Sequence, residues 1–166
     1  MMITSRPLAA LAAAAASLLA AAPAQASTIL DLFSRPGACF ARTYTPAHLR
    51  SHPRQTVRFV YLREPGAEWR PTQTPGHFNL AFGLRLVGHR DTYSGVAICT
   101  PNGAGATCDV EGDGGSFTVA RSGATLRMEV SRLELEGAHD FTDDIARGDN
   151  RVMLLSRAAA SVCPRG

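Results

Sequence analysis

Phe78, Leu80, Phe82, Leu84 and Leu86 alternate with Asn79, Ala81, Gly83 and Arg85 in the stretch "HFNLAFGLRLVG". Period two over nine residues is the spacing of a strand with one buried face, and a helix cannot bury that set on one side. Such a strand needs a sheet to lie in. The rest of the chain supplies candidates. "TVRFVYLRE" sets Val57, Phe59 and Tyr61 on one face and Val60 and Leu62 on the other, as a strand buried on both sides does. "TYSGVAIC", "GSFTVAR", "TLRMEVS" and "RVMLLSR" add shorter runs rich in β-branched and aromatic residues. After Val130 the apolar parity flips to Leu133 and Leu135, which calls for a bulge or turn near Ser131 and Arg132.

One short helix is expected at "YTPAHLRSHP", where Thr45 caps, Pro46 takes the first helical position and Pro53 ends the run. No long helix alternates with the strands and no period repeats. The expected fold is all-β: a single antiparallel barrel or sandwich of about seven to eight strands with one short N-terminal helix.

The first residues place that domain in a compartment. Arg6, an apolar run from Pro7 to Ala22 and the small residues Ala24-Gln25-Ala26 have the anatomy of a secretory signal, so residues 1–26 are expected to be cleaved and 27–166 to form one domain. The apolar run is shorter than the roughly 20 residues of a spanning helix, so no membrane insertion is expected. Arg6 aside, sixteen arginines face fourteen acids and there is no lysine, a balance that gives nucleic acid no electrostatic footprint. Arginine dominates from Ser27 to Ala106 and acids dominate afterwards, a weak bipolarity.

Cys39, Cys99, Cys108 and Cys163 all follow the signal, and an even count in an oxidising compartment favours disulfides. Three pairings are open. Cys99 and Cys108 flank "TPNGAGAT", which suits a tight hairpin, and Cys39 would then join Cys163 and staple the two ends. A four-cysteine zinc site is the alternative, but no CxxC knuckle is present.

Chemical motifs are sparse. Asp109, Glu111, Asp113 and Gly114 imitate the opening of a calcium loop, yet its twelfth position is Ala120, so a solvated turn is expected. His48 and His52 share a face of the short helix without the Glu of a zinc-protease motif or a third ligand. No metal and no cofactor is expected. Asp140, Asp143, Asp144 and Asp149 supply carboxylates in "AHDFTDDIARGDN", but spacing within a loop cannot make two of them face each other. Trp69, in the proline-rich "REPGAEWRPTQTPG", is a candidate binding anchor, and Phe78 and Phe82 are candidates to line an apolar cavity.

The segments "CFARTYTPAHLRSHPRQTV" and "GDNRVMLLSRAAASVC" resemble the opening and closing segments of an uncharacterised family of small exported proteins from high-GC alphaproteobacteria. The resemblance implies a small exported domain and carries over no catalytic residue. Together these features lead to an expected periplasmic or secreted monomer that binds an unknown protein or a small apolar ligand without catalysis of its own. As an inhibitor it would present "REPGAEWRPTQTPG" or "TPNGAGAT"; as a carrier it would open the Phe78–Leu86 face. The alternatives are a hydrolase using the acidic 140–149 loop, with Asp143 or Asp144 as base, and a structural protein of the cell envelope.

Overall fold

The computed structural model describes residues 28–66 and 74–164; the expected signal segment lies outside them. Eight strands follow one another: β1 (Cys39–Thr43), β2 (Val57–Arg63), β3 (Phe78–Leu86), β4 (Thr92–Asn102), β5 (Gly105–Val110), β6 (Gly115–Ser122), β7 (Thr125–Leu133) and β8 (Val152–Arg157). Each pairs antiparallel with the next, and β1 pairs with β8 through Phe40–Arg157 and Ala41–Ser156, closing a barrel. Closure leaves no outer strand of the sheet without neighbours on both sides, which is how an all-β chain avoids two open edges.

The alternation in β3 is realised as expected: Leu80, Phe82, Leu84 and Leu86 point into the lumen with Val60 and Leu62 of β2, Phe117 and Val119 of β6, Leu126, Met128 and Val130 of β7, and Met153 and Leu155 of β8. These side chains are between 0% and 4% exposed, so the barrel is a packed core. One helix enters that core and a second packs on it through half-buried Leu49. In α1 (Ile29–Phe33), Thr28 and Asp31 form a reciprocal capping box, and Ile29 and Phe33 are buried. In α2 (Pro46–Ser51), the Thr45 hydroxyl accepts from His48 N and Pro46 sits first, as its sequence requires.

Strand β2 is buried on both faces. Phe59 and Tyr61 pack outside the barrel with Cys39 and Cys163, under the C-terminal strap that Ala158 N ties to Cys39 O. Val57 departs from its expected side: the register shifts between Val57 and Phe59, the bulge turns Val57 inward, and it joins the lumen core. The shift expected near Ser131 is present, since Phe117 pairs with Val130 and Ser116 with Arg132, leaving Ser131 as the extra residue.

Both disulfides form the expected pairs. Cys99 and Cys108 lie directly opposite each other in the β4–β5 ladder, with Cα atoms 4.0 Å apart, and Cys39 joins Cys163 across 124 residues. Two disulfides fit a chain that matures in an oxidising compartment. The segment "TPNGAGAT" is not a protruding loop: β4 runs to Asn102 and β5 starts at Gly105, so only Gly103 and Ala104 turn, with Gly103 at φ 58°. Small residues there let the hairpin close at its minimum length.

Candidate functional site

The segment between β7 and β8 is the least regular part of the described chain, and it carries six of the fourteen acids. It is held to the barrel by specific bonds. Asp144 Oδ1 accepts from Leu133 N and Ala146 N, both at 3.0 Å. Buried Asn150 accepts from Thr56 N and Val57 N and donates to Thr56 Oγ1 and Arg147 O. Asp91, at the entry to β4, accepts from His139 N at 2.8 Å and meets the His139 ring Nδ1 at 2.7 Å. The bonds from His139 hold the Asp91 carboxyl below its ordinary range, and Asp91 in turn raises His139.

Tyr93 closes the network. Its ring is fully buried and its hydroxyl donates to Asp140 Oδ1, while His89 Nδ1 lies 2.7 Å from the phenol oxygen and 3.1 Å from Asp140 Oδ2. Burial first, then the Asp140 carboxylate, push the phenol up to about 12. Tyr93 therefore stays a neutral donor across the physiological range, which suits a clamp and not a phenolate nucleophile.

The residues marked in the sequence scatter. Trp69 lies outside the described residues. Phe78 is 8% exposed and Phe82 1%, with the Phe82 ring packed edge-on against Phe117 at 5.4 Å and beneath Gly95. The face that a carrier would open is filled by neighbours, because lumen side chains from all eight strands meet there. His48 and His52 stack on each other at 4.1 Å, and His52 Nδ1 bonds His48 O. Asp109 belongs to β5, and Glu111 and Asp113 lie in the turn to β6 around Gly112. Among the described residues no three His, Cys, Asp or Glu side chains are grouped to hold a metal ion.

Two surface grooves flank the irregular segment, and Phe141, 71% exposed, lines both. The smaller, about 400 Å³, has Asp143, Asp144 and His89 in its lining with Arg54 and Arg147. Its carboxylates do not pair with the histidine: Asp144 is engaged by backbone and His89 by Tyr93 and Asp140. The larger, about 990 Å³, lies against the outside of β3 and β4, with Ala81, Ser94 and Val96 on one side, Leu135 and Phe141 on the other, and Glu111 and Asp113 among the residues around it. Tyr61 covers Gly83 beside it so closely that a Cβ at Gly83 would stand 2.5 Å from the ring. That contact explains a glycine in the middle of a strand.

Sequence reasoning passed over Tyr93, Asp140, Asp91 and His139 as a group, since 47 and 48 residues separate the partners and no local spacing links them. Compared with protein-family models, with curated proteins and with solved structures, the chain matches none of them.

Proposed function

We propose that this chain is an exported protein, periplasmic or secreted after cleavage before Ser27, that acts as a monomer by binding another protein and performs no chemistry of its own. The observation that carries this reading is the contrast between its inside and its outside. The lumen is filled, and most acids of the irregular segment are engaged in holding it; the exposed aromatic Phe141 instead stands between two grooves. An exposed aromatic at a concave surface is the usual anchor of a protein interface. A packed barrel with a pinned loop also gives such a surface a fixed shape, which limits the ordering cost of association.

The test is photo-cross-linking in the exporting cell. A photoreactive residue at Phe141 is expected to capture a discrete protein, while the same residue at exposed Arg121, at the other mouth of the barrel, captures none. Equal capture at both positions, or none at 141, overturns the reading. The hydrolase reading draws on the meeting of Asp143, Asp144 and His89 at the smaller groove. It requires an activity that screening finds in the natural chain and that Asp143→Asn and Asp144→Asn remove.

A further inference from the structure

We infer that the larger groove receives an extended, basic polypeptide segment, which adds a strand to the free edge of β4 at Thr92–Gly95; the inference rests on the protein-binding reading above. It begins with unequal strand lengths. β4 has eleven residues and β5 six, and β5 covers β4 only from Ala97 to Asn102. One further bond, Glu111 N to Val96 O at 3.4 Å, continues the ladder and then it stops. Along an antiparallel strand, successive residues turn their N–H and C=O to opposite sides. Val96 faces β5, so Ser94 and Thr92 face the same way, while Tyr93 and Gly95 serve the unbroken ladder with β3. Among the described residues no backbone group bonds Thr92 or Ser94 on that side.

The barrel is thus closed through one half of β4 and open along the other. Four residues of edge span about 10–14 Å, room for a partner strand of three to four residues. Exposed edges are commonly blunted by Lys, Pro or a bulge; here the exposed residues are Thr92 and Ser94, and the β3–β4 register has no shift. Main-chain bonding to such an edge is a general mode of peptide recognition in which side-chain pockets add selectivity.

Charge selects the occupant. Both arginines of the groove are engaged: Arg63 donates to Pro164 O and Glu64 O, and Arg132 donates to both Glu134 carboxylate oxygens and to Asp113 O. Among the described residues Glu111, Asp113 and Glu136 find no ion-pair or side-chain hydrogen-bond partner, although Asp113 feels Arg132. The first two sit by the Val96 end. Glu136 sits by the Thr92 end, since the next residue, Gly137, packs on Asp91 and Tyr93. Unspent negative charge at both ends, with Val96, Leu135 and Phe141 between, fits a strand with cationic residues at its ends and apolar ones facing the groove.

The probe is a capped pentapeptide, Lys-Val-Lys-Val-Lys, titrated into isotope-labelled mature protein with its disulfides intact. Saturable amide shifts at Thr92–Gly95 are expected, with slowed exchange at Ser94 N–H and weaker binding as salt rises. Ser94→Pro, which removes that N–H and changes one residue of the groove lining, is expected to weaken binding at least tenfold. If Ser94→Pro disturbs the spectrum of the barrel, Glu111→Gln with Glu136→Gln serves instead, with several-fold weaker binding and a flatter salt dependence. Shifts confined to other surfaces, equal binding of the peptide with glutamate for lysine, unchanged binding by these variants, or a Ser94→Pro-sensitive dimer without peptide each overturn strand addition. Cross-linking from position 141 that persists in Ser94→Pro leaves the protein-binding reading standing and removes strand addition; absence of any cross-link in the unaltered chain removes both.

Discussion

Asn150 is one of the few polar side chains sealed into this molecule, at 3% exposed, and all of its hydrogen-bonding groups are engaged. Its carbonyl oxygen takes two successive main-chain N–H groups at the start of β2, and its amide reaches back to Thr56 and Arg147. One side chain therefore joins the entry of β2 to the entry of β8, 94 residues away. Truncation strands the buried Val57 N–H and removes the partner of the part-buried Thr56 N–H at the edge of the smaller groove. Asn150→Ala is expected to destabilise the fold by about 2–4 kcal/mol, because a buried unsatisfied group costs about 1–3 kcal/mol. Asn150→Asp keeps both acceptor bonds and lets the Thr56 hydroxyl turn donor, and it loses only the bond to Arg147 O, where two oxygens then face each other; against the four bonds lost in alanine its cost should be the smaller. Urea unfolding of the two variants beside the unaltered chain measures the order, and an alanine variant no weaker than the aspartate one removes this account.

At the scale of elements, the segment from Glu134 to Arg151 behaves as a strap whose fastening titrates. Asp91 is held below 3.8, so its contribution is present above that value and is lost as pH falls through the depressed pKa. His139 is raised above 6.5, so its contribution is complete below 6.5 and is lost as pH rises through the raised pKa. The strap is tightest on the acid side of neutrality. Protection of the Leu135 and Thr142 amides, which close its small bridge, is therefore expected to fall above neutral pH, relative to intrinsic exchange, and His139→Ala should abolish the fall. The same slope in both proteins would show that the pair does not fasten it. None of this was legible in the sequence, where the strap reads as a polar loop. The strands β2, β3, β4, β6, β7 and β8 were legible because each carries its own alternation or β-branched run. β1 and β5 were not: "CFART" is too short to show a period, and "GATCDV" is built from small residues that make sense only beneath neighbouring strands. The helix α1 had a signal that went unused, the Thr28–Asp31 box ahead of Ile29 and Phe33. The groove could not be read at all, since it arises from β5 stopping short of β4, a difference in length that appears only once the strands are paired.

For the whole molecule, two covalent links act on very different lengths of chain. Cys39–Cys163 spans 124 residues and ties β1 to the strap that covers the outer face of β2, whereas Cys99–Cys108 spans nine within one hairpin. In the chain-entropy picture the long link restricts nearly all of the unfolded domain and contributes about 5 kcal/mol, and the short one about 2.5 kcal/mol. The long link also closes a layer that the barrel ladder does not. Phe59 and Tyr61 lie outside the lumen, so they stay dry only while the C-terminal strap remains in place. Replacing Cys39 and Cys163 together by serine, which leaves no odd thiol, is therefore expected to cost more than replacing Cys99 and Cys108 together. It should also expose Tyr61 and free Arg63 from Pro164 O, beside the larger groove. Guanidinium unfolding gives the energetic order, and near-ultraviolet tyrosine spectra report the layer. If the hairpin variant proves the weaker of the two, main-chain pairing of β1 with β8 already restrains the ends, and the barrel's closure owes little to its longest covalent loop.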